Sequence, residues 1–458
     1  MSKKKKTIEK LLEEVLVPEE EQPYEVPENW VWTRIENIIQ PMETRDPKKL
    51  DGEVFHYIDV DAIDNKTQSV RQVKEIEINL APSRAKRKIS KNDVIISLVR
   101  PYLKNIAHIN EQDDKLVAST AFYVCTSKNI LSSKYLYNYL CSNYATKYLI
   151  NYTKGDNSPS VRSTDYEKMP IPIPTFNEQK RVIEKVERLL GKLEEVKQLI
   201  EEAKETFELR RTAILDKAFR GELTGKWRKQ NNLEFDWEEK RFEDLMKYGP
   251  QNGLYKPQSA YGKGTLIVRI DNFYNGKINN WENLKRLQLE QNEANLYGLS
   301  NGDIIINRVN SIEYLGKSAL VKNLVEQCVF ESNVMRVKLN EKIIPGYLIL
   351  YLNSSKGLQE LRKNAKHAVN QASINQQDVK NTLVPLPRKE EQAEIVRILE
   401  NLFENDKNTK FYDGIIEKVK SIRESILSKA FRGELGTNDP NEENAIELLK
   451  EILQEQVK

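Results

Sequence analysis

The residues of this chain that could carry out chemistry do not complete a catalytic motif. Gly316, Lys317 and Ser318 match the end of a phosphate-binding loop, in which backbone amides and a lysine hold phosphate groups. That loop requires a glycine five positions before Gly316, where this chain has Ser311. Tyr261–Thr265 lacks the third glycine and the following helix of a dinucleotide-binding fingerprint. Neither segment therefore predicts a nucleotide site.

The histidines and cysteines form no catalytic or metal-binding pattern either. The chain has three of each, namely His56, His108, His367, Cys125, Cys141 and Cys328. No histidine stands in a recognisable setting with a nucleophile, and no cysteine has zinc-site spacing. The Asn/Asp-Pro-Pro-aromatic tetrapeptide of amino-group methyltransferases is absent. We expect buried free thiols, no metal site, no cofactor on this chain, and a protein that is not an enzyme.

Polar side chains suited to recognition cluster in three segments of the first half. Ser83–Lys88 is strongly basic, Leu98–Asn105 follows an apolar run, and Gly155–Thr164 precedes a proline-rich segment. Arginine can pair with guanine, and asparagine or glutamine with adenine, through two hydrogen bonds each. The alternative interpretation of the basic run is a solvated loop without a ligand, which is the more common role of such a run. The candidate DNA-binding residues of this half are Arg84, Lys86, Arg87, Lys88, Arg100, Lys104, Asn157, Ser160, Arg162 and Ser163.

The second half has polar segments at corresponding places. Asn307–Lys317 follows the apolar run there, and Lys366–Asn375 precedes the prolines. Leu254–Gly264 has no clear counterpart in the first half. The candidate DNA-binding residues of this half are Lys256, Ser259, Lys263, Arg308, Asn310, Lys317, Asn370, Gln371 and Ser373.

The bulk composition neither requires nor excludes a nucleic-acid partner. Of 458 residues, 39% are hydrophobic and 31% charged, and the formal net charge is +3, so any basic surface must be local. No apolar run approaches the roughly 18 residues of a membrane-spanning helix. The acidic stretch after the basic start cannot be a signal-peptide core. We expect a cytoplasmic protein of two or three domains, without a membrane partner.

The elements that must position these loops occur twice in the chain. The matched segments keep the same order and an offset of about 210 residues, which indicates two copies of one module. The pairs are Trp30–Ile38 with Trp237–Leu245, Lys91–Ser97 with Asn301–Asn307, Pro170–Leu189 with Leu383–Leu402, and Ile214–Leu223 with Ile426–Leu435. The scaffold segments agree while the polar loops do not. One scaffold that carries two different sets of loops suggests that the two copies recognise two different DNA sequences.

Each copy should begin with strands and a helical segment and end in a long helix. We expect Ser132–Ile150 and Pro345–Lys363 to be amphipathic helices. Prolines prevent the first long helix from starting before Thr175, which can form a capping box with Glu178. Its continuation to about Arg220 corresponds to about 65 Å.

The ends of the long helices carry the repeated phrase KAFRGEL. Gly221 and Gly433 should supply left-handed turns there, and Phe219 and Phe431 should anchor the ends in a core. The polar stretch Glu404–Lys410 is either a stutter or a local break in the second long helix. We expect the two long helices to pack antiparallel with a globular unit at each end.

This combination of motifs resembles the specificity subunit of type I restriction–modification systems. The resemblance rests on the duplicated Trp-x3-Arg openings, the PIPIP and PLP segments that lead to Glu-Gln, and the two KAFRGEL helix ends. It implies two target recognition domains, each reading one half of a bipartite, asymmetric site in double-stranded DNA. It also implies two bound methyltransferase subunits with S-adenosylmethionine, and restriction (translocase–nuclease) subunits with ATP and Mg. The KAFRGEL segments are then either methyltransferase docking faces or simple caps.

The expected fold is therefore α+β. Two globular α/β-mixed target recognition domains are joined by two long antiparallel helices in a coiled coil, with internal pseudo-twofold duplication. The expected divisions are an N-terminal amphipathic helix or extension (1–26), recognition domain 1 (27–176), helical spacer 1 (177–226), recognition domain 2 (227–388), helical spacer 2 (389–435) and a C-terminal helix (436–458). The terminal amphipathic segments, Thr7–Leu16 and Ala445–Leu453, pair either with each other or with partner proteins.

Two other functions are compatible with parts of the sequence. A structural coiled-coil scaffold would bind proteins at its globular ends, but the unmatched polar loops in matched domains argue against it. A fusion of a reader with a catalytic methyltransferase would need a cofactor motif that the sequence lacks.

Overall fold

The computed structural model describes residues 7–156, 158–369, 371–404 and 408–457. They form two compact units: unit 1 comprises the described residues within Met1–Leu199 and Asp413–Lys458, and unit 2 those within Ile200–Tyr412. The longest described helix, Phe176–Phe219, begins in unit 1 and ends in unit 2. No described helix combines the length and the apolar character needed to span a bilayer.

Unit 1 combines short strands with a few helices. The elements are α1 (Ile8–Val15), β1 (Val31–Arg34), α2 (Ile35–Ile38), β2 (Val54–Ile58), β3 (Ile63–Asp64), β4 (Ser69–Val70), β5 (Lys74–Glu77), β6 (Ala85–Lys88), β7 (Val94–Ser97), β8 (Ile106–His108), β9 (Leu116–Ser119), β10 (Phe122–Cys125), α3 (Ser133–Leu140), α4 (Asn143–Asn151), α5 (Ser163–Glu167), β11 (Pro170–Ile173) and α6 (Phe176–Phe219). The sheets have the strand orders β5-β2-β9-β6, β10-β7-β8, β1-β11 and β3-β4.

Unit 2 repeats much of this order. Its elements are α7 (Gly225–Gln230), β12 (Glu238–Arg241), β13 (Met246–Asn252), β14 (Tyr261–Val268), β15 (Phe273–Tyr274), β16 (Lys277–Ile278), β17 (Lys285–Leu287), α8 (Gln291–Leu296), β18 (Ile304–Asn307), β19 (Val309–Asn310), β20 (Ser318–Leu320), β21 (Cys328–Phe330), β22 (Val334–Leu339), α9 (Pro345–Leu352), α10 (Ser355–Arg362), β23 (Lys366–Ala368), β24 (Gln371–Ser373), α11 (Gln376–Asn381), β25 (Leu383–Leu386) and α12 (Lys389–Glu404). Helices α13 (Asn408–Ala430) and α14 (Ile446–Val457) complete the described chain.

The repeat seen in the sequence is a repeat of strand register. In unit 1, Val31 pairs with Ile173 in the antiparallel pair β1-β11. In unit 2, Glu238 pairs with Leu386 in β12-β25, at the corresponding positions. The two matched segments of each copy, far apart in the chain, are thus neighbouring strands. The predicted duplication is confirmed at the level of single residue pairs.

The apolar runs of the matched strands are buried on both faces. In β7, Val94 and Ile96 belong to the core that contains the helices, whereas Ile95 belongs to a second core on the other side. Ile304 and Ile305 divide in the same way between the two cores of unit 2. Strands covered on both sides carry continuous rather than alternating apolar residues.

The two helical segments predicted from apolar spacing are each broken in the middle. Ser132–Ile150 forms α3 and α4, because Ser142 caps α4 by accepting from Ala145 N (3.3 Å). Pro345–Lys363 forms α9 and α10, where Ser354 accepts from Gly357 N (3.1 Å). A serine at a cap competes with helix continuation through its own hydrogen bond, and apolar periodicity does not register this effect.

Each long helix ends inside the unit built on the other copy. Phe219, near the end of α6, packs edge-to-face on Tyr347 and Tyr351 in unit 2, with ring centroids 5.5 and 5.2 Å apart. Phe431, after α13, packs in the same way on Tyr135 and Tyr139 in unit 1, at 5.2 and 5.1 Å. The predicted aromatic anchors are confirmed, and each belongs to the core of the opposite copy.

Near the starts of α6 and α12, glutamates at matched positions accept hydrogen bonds from the segments that follow the ends of the long helices. In unit 1, Thr437 Oγ1 donates to Glu178 (2.7 Å), and in unit 2 Thr224 Oγ1 donates to Glu391 (2.6 Å). The chain that follows each long helix therefore reaches the start of the other. The neighbouring glutamines join each helix start to the loop before α3 or α9, since Ser132 N donates to Gln179 and Ile344 N to Gln392, both at 2.8 Å.

The capping box predicted at the start of α6 is only half formed. Thr175 Oγ1 accepts from Glu178 N (3.2 Å), as expected. The Glu178 carboxylate accepts instead from Thr437 and from Arg181 Nη2 (2.7 Å), and Thr175 donates to Glu442 (2.7 Å). The Glu178 carboxylate therefore bonds Thr437, which lies beyond α13, and does not close the capping box.

The terminal helices pack on each other within unit 1. Leu12 and Val15 of α1 and Leu449 and Ile452 of α14 belong to the same core. The segment before α14 is also held, because Ala445 N donates to the Asn29 carbonyl (2.9 Å). Of the two arrangements left open by the sequence, the described structure shows pairing of the two ends.

The three cysteines are buried free thiols, as predicted. Burial raises the pKa of Cys125 and of Cys141 to about 12, so both are protonated at neutral pH.

Replacing Gly433 by alanine should destabilise unit 1 more than the same change at Gly436. Both glycines have left-handed φ angles, +71° and +66°, so either change should cost about 1–2 kcal/mol. A Cβ at Gly433 would also lie 2.4 Å from Pro27 Cγ, whereas a Cβ at Gly436 has open space. Thermal melting of the two variants measures the difference, and equal melting temperatures would contradict the assigned contact.

Candidate nucleic-acid interface

In both units, the loop after one buried strand (β7 or β18) pairs with the segment that leads to the proline-containing strand (β11 or β25). In unit 1, Val99 bridges to Ser160, and Val161 N donates to the Leu98 carbonyl (2.9 Å). In unit 2, Val309 pairs with Ser373, and Ile374 N donates to the Arg308 carbonyl, also at 2.9 Å. The backbone frame of the two loop pairs is therefore the same, while Arg308 stands where unit 1 has Leu98.

Besides the two paired loops, unit 1 contains a third segment with predicted DNA-binding residues, the basic strand β6, which pairs with β9. Arg84 and Lys86 are exposed, and Arg87 and Lys88 are half-buried. Lys88 is paired with Glu43 (2.5 Å), and this contact lowers the pKa of the glutamate. The basic run predicted from sequence is thus divided, with Lys88 held by an acidic partner.

A pocket of about 160 Å³ brings three of the predicted residues together in unit 1. Arg87, Ser160 and Ser163 line it together with Thr120. Its apolar wall includes Leu98, Val99, Ala121, Phe122 and Val161. Thr120 was not among the residues predicted from sequence, since it lies in the turn between β9 and β10 and only the sheet brings it to the loops.

Other predicted residues of unit 1 have protein partners. Lys104 Nζ donates to Asn143 Oδ1 (3.1 Å), and its burial lowers its pKa. Arg162 is exposed and pairs with Asp165 (2.9 Å). Arg100 is exposed in a left-handed turn, with its N donating to the Pro159 carbonyl (2.7 Å). Asn157 lies outside the described residues.

Unit 2 replaces the basic strand with a helix. Among its described residues, α8 occupies the chain position that β6 has in unit 1, and Glu293 of α8 pairs with Lys256 (2.8 Å). Ser259 and Lys263 are exposed. The unmatched segment Leu254–Gly264 therefore presents one paired and one exposed lysine.

The remaining predicted residues of unit 2 surround the β19-β24 pair. Arg308 is half-buried and donates to the Ser332 carbonyl (3.1 Å), and Asn310 accepts from Ser311 N (2.8 Å). Gln371 is exposed and Ser373 half-buried on β24. Asn370 lies outside the described residues.

Lys317 is stacked between two aromatic rings. Its Nζ lies 3.9 Å from the ring centroid of Tyr274 and 4.2 Å from that of Tyr314. Burial lowers its pKa, and the cation–π contacts hold the ammonium against the protein. The residue that resembled a phosphate-loop lysine thus joins its loop to the β15-β16 hairpin.

Among the described residues, no group of three or more His, Cys, Asp or Glu side chains is placed to hold a metal ion. The geometry of both loop pairs suits contacts with a polar ligand and contains no assembled nucleophile and base.

Comparisons with known proteins agree with this arrangement. A family model described as type I restriction modification DNA specificity domain matches the chain twice, over residues 27–205 and 234–420. The chain is 27% identical over 354 residues to the Type I restriction enzyme EcoKI specificity subunit of Escherichia coli, covering 76% of each chain. It is 30% identical over 311 residues to the StySPI specificity subunit of Salmonella potsdam, covering 67% of this chain and 66% of that one.

A structural comparison leads to the same family. The fold matches a chain from a solved type I R-M system, described in terms of complex assembly and conformational transition. The TM-score is 0.71 and the sequence identity 26%, and the match covers 90% of this chain and all of that one.

Proposed function

The chain belongs to the family of type I restriction modification DNA specificity subunits, and we propose that it reads a bipartite, asymmetric site in double-stranded DNA. Each unit contacts one half-site, and the helices set the distance between the half-sites. The role is recognition and not catalysis. Two methyltransferase subunits with S-adenosylmethionine and the restriction subunits with ATP and Mg would supply the chemistry.

One observation carries the proposal of two half-sites. The Val99–Ser160 and Val309–Ser373 pairs share one backbone frame, yet the side chains next to them differ, since Arg308 and Asn310 stand where unit 1 has Leu98 and Arg100. Phosphate contacts position a protein on DNA, whereas side chains at base edges specify the sequence. A common frame with different side chains suits two readers of different sequence.

Joining two readers in one chain improves discrimination. A mismatched base pair typically costs about 1–3 kcal/mol, and costs at well-separated positions add. Two half-sites therefore reject more wrong sequences than one. The formal net charge of +3 suits this role, because weak overall attraction to DNA limits binding elsewhere.

Mapping of methylated adenines tests the proposal directly. The chain is expressed with its cognate methyltransferase subunit in a host without other adenine methylation, and the genome is sequenced for modified bases. We expect one motif with two specified parts and an unspecified gap. Exchange of residues 159–163 should alter one part, and exchange of 371–375 the other. A contiguous motif would contradict two separate readers, and absence of methylation would favour the structural-scaffold alternative.

The salt dependence of DNA binding should separate two lysines of unit 2. Lys263 is exposed, so Lys263→Gln should reduce the slope of log K against log salt by about 1, as expected for one lost phosphate contact. Lys317 is held between Tyr274 and Tyr314, so Lys317→Gln should weaken binding without that change in slope. Titrations of the complex with the methyltransferase at several salt concentrations measure both. A reduced slope for Lys317→Gln would show that its ammonium contacts phosphate.

A further inference from the structure

The pocket of unit 1 contains an arginine, Arg87, with one buried donor that no group of the described protein accepts. The Nε of Arg87 is buried and has no hydrogen-bond partner among the described residues. A buried donor without an acceptor typically costs about 1–3 kcal/mol. A ligand that offers acceptors to this guanidinium would remove that cost.

Besides Tyr123, whose hydroxyl donates to Glu167, the other polar residues of the pocket come from three separate segments. Thr120 lies in the β9–β10 turn, Ser160 in the paired loop and Ser163 at the start of α5. Each has a hydroxyl that can donate or accept. Apart from the Tyr123 hydroxyl, the pocket is thus lined by one donor-only cation and three hydroxyls of either role.

The walls of the pocket distinguish between possible ligands. Leu98, Phe122 and Val161 are each at most 8% exposed and form an apolar surface. Glu167, which accepts from Tyr123 Oη at 2.8 Å, adds a carboxylate next to the lining residue Tyr123. A phosphate would lose hydration against the apolar walls, and the nearby carboxylate would repel it. The planar, uncharged edge of a base avoids both penalties.

From this combination we infer that the Arg87 pocket is where unit 1 reads a guanine of its half-site. Guanine presents two adjacent acceptors, O6 and N7, in the major groove, and a guanidinium can donate to both. The three hydroxyls can meet the edges of the same or the adjacent base pair. The inference rests on the proposed function and names the base and the residue. By contrast, α8 stands at the corresponding chain position in unit 2.

The test compares the methylation motifs of wild-type and variant chains, each with the methyltransferase subunit. The wild-type motif should contain a guanine in the half-site that exchange of 371–375 leaves unchanged. Arg87→Ala should relax the requirement at that one position by about 10- to 100-fold and leave the other half-site unchanged. Arg87→Gln, whose amide matches the donor and acceptor of adenine and not the two acceptors of guanine, should relax the same position and serves if the alanine variant folds poorly.

A matched control is Arg397→Ala, which removes an arginine with a 62% exposed side chain on α12. This change should leave the motif as in wild type. If Arg87→Ala and Arg87→Gln retain the guanine requirement, or if the unit 1 half-site contains no guanine, the inference is wrong. If Arg87→Ala weakens all sequences equally and lowers the salt slope by about 1, Arg87 contacts phosphate and the inference is also wrong. If the wild-type chain directs no bipartite methylation, the proposed function itself fails.

Discussion

Replacing Phe431 by alanine should lower the free energy of unfolding of unit 1 by about 3–5 kcal/mol. The side chain is 2% exposed and packs edge-to-face on Tyr135 and Tyr139. Those tyrosines in turn donate to the carbonyls of Pro172 and Pro170 in β11. The cavity would therefore form at the point where the helix end, the two tyrosines and the proline strand meet.

The reciprocal change, Phe219→Ala, should act on unit 2. Phe219 packs on Tyr347 and Tyr351, which donate to the carbonyls of Pro385 and Leu383, both at 2.7 Å. Hydrogen exchange measured by mass spectrometry should show loss of protection in β1 and β11 for Phe431→Ala. It should show the loss in β12 and β25 for Phe219→Ala.

An exposed residue on α6 provides the control for these two variants. Leu209 is 72% exposed, so Leu209→Ala should change stability by no more than about 0.5 kcal/mol. Equal loss of protection in both units after Phe431→Ala would contradict the assignment of this side chain to unit 1 alone.

Replacing Glu391 by alanine should destabilise unit 2 by about 3–5 kcal/mol, because it leaves a buried guanidinium without its partner. Glu391 and Arg228 form an ion pair whose side chains are only 2% and 11% exposed. Thr224 donates to the same carboxylate oxygen (2.6 Å), and Arg228 also donates to the Gly221 carbonyl (2.6 Å). The pair thus holds the left-handed turn after α6 against the start of α12.

A double-mutant cycle measures this pair. The variant with both Glu391→Ala and Arg228→Ala should be destabilised by much less than the sum of the single changes, since neither charge is then left alone. The matched control is the exposed pair Lys356–Glu239 in the same unit, with side chains 50% and 56% exposed. Its coupling should lie within about 0–1 kcal/mol. Additive effects at Glu391 and Arg228 would contradict a coupled buried pair.

The duplication was accessible from sequence because the scaffold needs the same residue types in both copies. A proline strand, a Glu-Gln helix start and a phenylalanine before a left-handed glycine each solve a local problem of backbone or packing. Gly221 and Gly433 have φ angles of +73° and +71°, as the repeated Gly-Glu-Leu predicts. The positions of both sets of polar loops could also be predicted, since the loops lie between matched segments.

The partners of the matched residues could not be predicted in this way. Both copies bury a glutamate, but Glu391 is paired with Arg228, after α6, and Glu178 with Arg181, in its own helix. An alignment of the copies matches the glutamates and not the arginines. The cation can come from any segment that reaches the carboxylate, so only the folded chain identifies it.

The same holds for the candidate interface. The sequence predicted Lys104, Lys317 and Arg87 equally as DNA-binding residues, because the residue type of a charged side chain does not show whether it faces a ligand or the protein. The structure places Lys104 beside the start of α4, Lys317 between two tyrosines, and Arg87 in a pocket with the hydroxyls of Thr120, Ser160 and Ser163.

The sequence by itself determined that one module occurs twice, where its helices end and which loops differ, because these properties depend on residues close together in the chain. Tertiary structure decided that each helix end completes the core of the other copy, and which basic side chains are held by the protein. Burial and partner choice depend on segments more than a hundred residues apart, such as Thr437 and Glu178, and local residue patterns contain no record of those distances.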